Sequence, residues 1–284
     1  MFLSKTSEVA AAADTLKKAV QSSNSDPSWI MHHVLDSNSI NFEPFGTIYL
    51  PHLQLFGLDI SITKHVFFIW IIAIVLIVFA LIAAKGYKKS LVPKGISNFL
   101  EIIIIFIRDE IVKPSIGKGY ESYLPYMLTL FMFILLSNLF GLIPYSTTVT
   151  SNIAVTAALA GISFVVTQYS GMKSYGVLKY FKNLIPSGMP GWIIPIIIPL
   201  EILGLFTKPF ALCIRLFANM IAGHIVIFSL LGLIFIMHTI YVAPVSVGFA
   251  LFIEMLELLV ALIQAYVFTM LTALFIGMAK HSDH

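Results

Sequence analysis

The chain has 284 residues, of which 58% are hydrophobic and only 11% are charged, and its mean hydropathy is +0.94. Soluble globular domains carry about 25% charged residues, so this chain cannot cover a folded surface with water-compatible side chains. The composition excludes a soluble enzyme or nucleic-acid-binding protein. The net charge of +3 gives no indication of a polyanionic partner, and the single cysteine, Cys213, excludes an intrachain disulfide and a cysteine-based metal cage.

Residues 1–64 are the one stretch of ordinary polarity, and we interpret them as an N-terminal tail on the outer (periplasmic or intermembrane) side. The first twenty residues lack the continuous apolar core of a secretory signal and the arginines of a transit peptide. His32, His33 and Asp36 could suggest a metal site. No further ligand stands at helical spacing, so exposed polar residues in a tail are the better interpretation.

Apolar stretches in residues 65–284 predict an all-α polytopic membrane protein with about five membrane helices. The first stretch runs from His65 to Ala84, the second covers 125–143 and the third covers 153–169, which match a hydrocarbon layer about 30 Å thick. Lysines follow the first and third stretches, whereas the loop after the second is uncharged. The positive-inside rule therefore predicts that the N-terminus lies outside and the C-terminus lies in the cytoplasm.

Residues 95–113 have a different pattern and are predicted to form an interfacial amphipathic helix. Their continuous apolar run covers only 102–107, and charged residues flank it on both sides. Pro93 and Pro114 bracket the segment as helix punctuation. The segment is too short and too charged to span, so we place it along the inner membrane surface.

The last two apolar segments, 200–236 and 245–279, are longer than a membrane is thick. As helices they would measure about 55 Å and about 52 Å. A turn near Ile240 would fold them into an antiparallel hairpin, at about residues 190–280. Either both helices are tilted beyond the usual range of about 0–40°, or they break. So large a tilt requires a protein partner or a cavity along their length.

Charged and amide side chains inside these two helices are the candidate functional residues. An ionisable side chain in a membrane helix costs on the order of 2.5–3.5 kcal/mol, and a functional role is the default expectation. At 100° per residue, Glu201, Lys208 and Arg215 form a line on one helix face, with Asn219 about 40° away. This line gives the first long helix a distinct polar side.

In an antiparallel hairpin, Gln264 falls opposite Arg215, and Glu257 falls opposite His224. Arginine stays protonated at biological pH, so Arg215 is a fixed positive charge that can block proton passage and attract a carboxylate. His224 and Glu257 can exchange protons near neutral pH and could relay them between the outer water and the middle of the membrane. Both pairs also fit a purely structural role as polar contacts between helices.

Three further polar residues are secondary channel candidates. Glu254 is expected to line a wet vestibule. Lys208, next to Pro209, can instead extend its ammonium group to the inner interface. Asn138 is expected to be a helix-packing or capping residue, with a channel role as the alternative.

Four segments closely resemble subunit a of F-type ATP synthases. They are KPFALCIRLFANMIAGH at 208–224, ELLVALIQAYVFTMLTALFIGMA at 257–279, SNLFGLIP at 137–144 and TSNIAVTAALA at 150–160. The resemblance covers about residues 65–280. Its most specific element is the R-L-x-x-N-x-x-A-G arrangement with a downstream Q-A-Y-V-F.

The resemblance implies a non-catalytic stator subunit of a large hetero-oligomeric complex, with no ATP site of its own. Its partners would be the rotating c-ring, the b subunits of the peripheral stalk and membrane lipid, without nucleic acid. Protons would enter by one half-channel, travel on carboxylates of the c-ring and leave by the other half-channel, which couples the proton gradient to ATP synthesis. No cofactor and no metal is implied, and the sequence does not distinguish H⁺ from Na⁺ as the transported ion.

The resemblance also implies roles for individual residues. Arg215 corresponds to the essential arginine that separates the half-channels and makes an approaching carboxylate release its proton. Gln264 matches a glutamine beside it, and Asn219 matches an asparagine one turn further on. Glu201 matches a glutamate of the inner exit channel.

The pair at 224 and 257 is His then Glu here, as in mitochondrial and many bacterial family members, whereas some members have Glu then His. The two arrangements exchange the positions of the histidine and the glutamate but keep both side chains. This retention of the pair suits two coupled groups on facing helices. Asn152 stands where many relatives have Asp, so we expect no acidic outer-channel group there.

Two other classes of function compete with this interpretation. An independent ion channel or secondary transporter often has two related halves, and no internal repeat is visible here. An intramembrane enzyme would need a motif such as HExxH, which the spans lack. We expect a bacterial plasma membrane location because the tail lacks transit-peptide character, with the mitochondrial inner membrane as the alternative.

Overall fold

The computed structural model describes most of the chain after residue 38. The described residues are 39–42, 46–49, 54–55, 58–59, 61, 63–89, 95–143, 146–182, 193–237 and 240–281. The predictions for His32, His33 and Asp36, and for the first part of the tail, lie outside the described residues.

Two short hairpins precede the first helix. Strand β1 (Ser39–Phe42) pairs antiparallel with β2 (Gly46–Tyr49), and β3 (Gln54–Leu55) pairs antiparallel with β4 (Leu58–Asp59). All elements described from Lys64 onward are helical. The predicted all-α membrane architecture is therefore confirmed, with these four short strands outside it.

The first long helix and the interfacial segment follow the hairpins. Helix α1 (Lys64–Lys89) is apolar over most of its length. The next segment is helical in three sections, α2 (Ile96–Phe106), a wider π-helical section (Ile107–Val112) and α3 (Lys113–Ile116). Pro114 was expected to end this helix, but Pro114 instead lies in the first turn of α3, a position where the missing N–H is tolerated.

The interfacial segment is amphipathic, as its sequence predicted. Its exposed side chains include the apolar Ile96, Phe99 and Ile102 and the charged Asp109 and Glu110, whereas apolar side chains such as Ile107 are buried. No part of the segment is a candidate membrane span within the residues that the structure describes. The arrangement fits a helix that lies along the membrane surface.

An exposed ion pair marks the π-helical section. The Arg108 guanidinium donates two hydrogen bonds to the Asp109 carboxylate, at 2.8 Å and 2.9 Å. The hydrogen bonds from Arg108 hold the pKa of Asp109 below its ordinary value, and the same contact raises the pKa of Arg108. This section of the helix therefore keeps a charged, water-facing side.

Three helices follow: α4 (Leu124–Gly141), α5 (Ile153–Tyr175) and α6 (Val177–Lys182). Asn152 caps α5 because its side-chain oxygen accepts a hydrogen bond from the Ala154 N–H at 2.9 Å. Hydroxyl pairs join the region of α4 to α5: Tyr123 with Ser170 at 2.7 Å, and Tyr126 with Ser163 at 3.0 Å. These contacts satisfy polar groups inside the helix bundle.

The last two helices, α7 (Ile194–Ile236) and α8 (Ala243–Lys280), contain 43 and 38 residues. A short 3-10 turn (Ile240–Val242) precedes α8. Pro199 and Pro209 lie inside α7 without breaking it. At about 64 Å, α7 is about twice as long as the hydrocarbon layer is thick, so it must tilt steeply or extend beyond that layer.

Five helices are long and apolar enough to cross a membrane, namely α1, α4, α5, α7 and α8. The chain forms two compact units, and the larger contains residues 36–222 and 256–284. Its main core draws on the interfacial segment, α4, α5, α7 and α8. The described part of the smaller unit covers residues 223–237 and 240–255.

Candidate functional site

Helix α7 carries its charged residues on an exposed flank. Arg215, Asn219 and Lys208 are exposed, and Glu201 is half-buried. Leu212 and Leu216, by contrast, are buried in the core, as is Met220. The polar line that the sequence predicted therefore lies beside the buried face of α7, at the surface of this chain.

An exposed arginine on a membrane helix is costly. Placing Arg215 against lipid would cost on the order of 2.5–3.5 kcal/mol. The described part of the chain leaves this side chain exposed. The surface around Arg215 therefore requires water or another polar partner at that level of the membrane.

Helix α8 carries its polar residues in the opposite environment. Glu257 is only 4% exposed and Gln264 only 6% exposed. Both lie on the buried face of α8, together with Ala261 and Phe268. In the described part of the chain, Gln264 is not hydrogen-bonded to Arg215, so the predicted meeting of these two side chains stays a prediction.

A contact between α7 and α8 supports their antiparallel arrangement. The Lys208 ammonium lies over the Phe275 ring, 5.5 Å from its centroid. If Arg215 faces Gln264 in an antiparallel pair, Lys208 faces the residue seven positions after Gln264. Phe275 lies four residues, or about one helical turn, beyond that position. The long lysine side chain spans that turn and brings its ammonium group to the Phe275 ring.

Asn138 on α4 is a buried contact to α8. Its side chain is 1% exposed, and its Nδ2 donates a hydrogen bond to the Ala261 carbonyl oxygen at 3.4 Å. The Thr150 hydroxyl donates a hydrogen bond to Oδ1 of Asn138. The helix-packing role expected for Asn138 is therefore observed. The sequence did not identify Thr150 as its partner, although Thr150 lies in the quoted TSNIAVT segment.

His224 and Glu254 belong to the smaller unit, and both are half-buried. His224 lies on α7 and Glu254 lies on α8, the two long helices that the sequence predicted. The pairing of His224 with Glu257 stays a prediction from the spacing.

The described residues contain no group of three His, Cys, Asp or Glu side chains that could hold a metal ion. The single cysteine, Cys213, is buried on α7, where its sulfur lies 3.5 Å from the Thr156 hydroxyl of α5. This contact fits helix packing.

Comparison with known proteins shows the family of this chain. Residues 66–277 match the family model described as "ATP synthase A chain". The chain belongs to this family. It is a membrane subunit of the Fo type, in the family of subunit a of F-type ATP synthases.

Individual relatives are similar over most of their length. ATP synthase subunit a of Chloroherpeton thalassium is 52% identical over 259 residues, which cover 89% of this chain and 77% of the relative. ATP synthase subunit a 2 of Chlorobaculum tepidum is 54% identical over 259 residues, covering 89% and 73%. ATP synthase subunit a of Myxococcus xanthus is 50% identical over 242 residues, covering 83% and 80%. These bacterial relatives and the five apolar helices indicate a multi-pass bacterial membrane protein.

Proposed function

We propose that this subunit translocates protons through two half-channels at its contact with the rotating c-ring, and so couples the proton gradient to ATP synthesis. The observation that supports this most is the exposure of Arg215 on the flank of α7. A permanent cation in a membrane needs a polar or anionic partner. A carboxylate carried past Arg215 by a ring of c subunits would be such a partner.

Arg215 would act on each passing carboxylate through its charge. An adjacent guanidinium favours the ionised form of a carboxyl group, so the group releases its proton as it approaches. Because arginine does not itself lose a proton, it also prevents direct passage between the two half-channels. Asn219 and Gln264 would complete the polar surroundings, and Glu201 would serve the inner exit path.

The outer path would use His224 and Glu257. A histidine and a glutamate on facing helices can pass a proton between outer water and the middle of the membrane. Glu254 is the further candidate for the outer path, and Lys208 for the inner path. The transported ion is H⁺ in this proposal, with Na⁺ as the alternative that a sodium-dependence assay would reveal.

The subunit would act within the complete complex. Its proposed partners are the c-ring, the b subunits of the peripheral stalk and lipid, and ATP chemistry would take place elsewhere in the assembly. The lysines at and after the C-terminal ends of α1 and α5 support a topology with the N-terminus outside and the C-terminus in the cytoplasm. We place the subunit in the bacterial plasma membrane.

The decisive experiment replaces Arg215 in membranes that hold the whole ATP synthase. Arg215→Ala should abolish both ATP-driven proton pumping and gradient-driven ATP synthesis, while the complex still assembles. Arg108→Ala is the matched control, because Arg108 is exposed and paired with Asp109 outside the long helices. Normal coupled pumping by Arg215→Ala would refute the proposal.

The proposed relay has its own test. Exchange of both residues, His224→Glu with Glu257→His, should retain more pumping than either single substitution, because both proton-carrying groups are kept. A double exchange that performs worse than both single substitutions would rule out direct coupling of the two.

A further inference from the structure

Asn138 is enclosed by protein and hydrogen-bonded on both sides of its amide group. Its side chain is 1% exposed, and Thr150 and Ala261 are fully buried. Asn138 accepts a hydrogen bond from the Thr150 hydroxyl and donates one to the Ala261 carbonyl oxygen. The amide therefore links the turn before α5 to the backbone of α8.

The amide of Asn138 suits this link, because its oxygen accepts from the Thr150 hydroxyl while its NH2 group donates to the Ala261 carbonyl oxygen. Within α8 the Ala261 carbonyl also faces the N–H of Ala265, as in any α-helix, and its second lone pair is open to Asn138. Because the bond reaches the backbone, it fixes the position of the helix itself and not of one side chain.

The level of the contact along α8 is what connects it to the candidate site. Ala261 follows Glu257 by four residues and precedes Gln264 by three. The corresponding axial distances are about 6 Å and about 4.5 Å. The contact with Asn138 therefore lies between the two buried polar side chains of α8.

The other end of the link is itself well anchored. Thr150 lies in a 3-10 turn (Val149–Ser151) whose three residues are all buried. The Ser151 hydroxyl donates to the Thr148 carbonyl oxygen at 2.7 Å, and Asn152 caps α5 directly after the turn. This turn can therefore act as a fixed support for α8.

We infer that Asn138 is a positioning residue, which sets the height and rotation of α8 through the Thr150–Asn138–Ala261 hydrogen bonds. It acts through the helix that presents Glu257 and Gln264 and does not itself carry the ion. This inference rests on the proposed function, since it assigns Asn138 the alignment of residues used in ion transfer.

The test uses whole ATP synthase in inverted membrane vesicles, with ATP-driven pumping measured per assembled complex. Asn138→Leu removes both hydrogen bonds at similar volume, and Thr150→Val removes one of them. Each should lower pumping by about threefold to tenfold, and the double variant should be no worse than Asn138→Leu alone. Thr150→Ser keeps the hydroxyl and should therefore pump at the wild-type level, unlike Thr150→Val.

Thr129→Val is the matched control. Thr129 lies on α4, as Asn138 does, but its hydroxyl is exposed and, among the described residues, donates a hydrogen bond to the Pro125 carbonyl oxygen of the same helix. Its loss should leave pumping unchanged.

A pH profile separates positioning from mere packing. In Asn138→Asp a carboxylate still accepts from Thr150 but cannot donate to Ala261, whereas the protonated carboxyl can. The pumping defect should therefore shrink as the pH falls, relative to the wild-type profile. Asn138→Leu should show no such recovery.

Several results would overturn the inference. The first is wild-type pumping by Asn138→Leu, and the second is wild-type pumping by Thr150→Val when Asn138→Leu is defective. The third is a double variant whose loss of pumping is the product of the two single losses. The fourth is a pumping defect of Asn138→Asp that does not change with pH. If Asn138→Leu fails to assemble, Thr150→Val and Asn138→Asp decide the matter. Arg215→Ala, measured in parallel, keeps the two proposals apart, because its normal pumping would refute the proposed function whatever the Asn138 variants do.

Discussion

The two long helices carry similar numbers of polar residues but expose them differently. On α7, Arg215 and Asn219 lie at the surface of the chain, whereas on α8, Glu257 and Gln264 are enclosed by it. Arg215 and Asn219 are thus available to another molecule, whereas Glu257 and Gln264 belong to the interior of this one. The difference suggests that α7 meets the partner and that α8 is held in place by the rest of the subunit.

The strongest test of this contrast separates activity from stability at Arg215. Arg215→Leu should reduce pumping to background, yet it should change the free energy of unfolding of the subunit by less than about 0.5 kcal/mol, as is usual for exposed positions. Denaturation of the purified subunit in detergent provides the stability measurement. A large drop in stability would mean that Arg215 holds the fold together, and the contrast with α8 would disappear.

The second test addresses how firmly α8 is held at its C-terminal end. A Cβ atom at Gly277 would overlap the Ser115 carbonyl oxygen, a backbone atom that cannot move aside easily. Gly277→Ala should therefore destabilise the subunit by about 1–3 kcal/mol and lower the yield of assembled complex. Gly161→Ala is the control, because its added methyl group would meet open space. Equal behaviour of the two variants would show that α8 is not tightly packed there.

The smallest expected effect lies where the two helices touch. Phe275→Leu removes the ring beneath the Lys208 ammonium and should cost about 0.5–1 kcal/mol. Lys208→Met should have a similar cost, and the double variant should cost little more than either single one. Additive losses in this double-mutant cycle would show that the two side chains contribute independently.

Much of the fold could be predicted because hydrophobic length is a strong signal. The spans, the interfacial helix and the antiparallel hairpin follow from apolar runs and charge at their ends. The π-helical section before Pro114 could not be predicted, since a proline usually marks a helix boundary. The course of α7 through Pro209 was left open by the sequence for the same reason.

The site was predicted as a set of residues, but its environment was not. Helical spacing identified Arg215 and Gln264, yet spacing on one helix does not say which side the remaining helices cover. The contact of Asn138 with Thr150 and Ala261 needs three segments to meet. Pairing of that kind depends on tertiary packing, and local sequence carries no signal for it.

The C-terminal end of α8 also bears on how the subunit is made. Lys280 donates a hydrogen bond to the Lys118 carbonyl oxygen, and the His281 ring lies 3.0 Å from the Ile116 carbonyl oxygen. These partners are separated by more than half of the chain, and synthesis proceeds from the N-terminus. The contacts at Ile116 and Lys118 can therefore form only after α8 has been synthesised. A chain truncated before Gly277 would keep the core residues of α8 up to Ile276 but would lose both of these contacts.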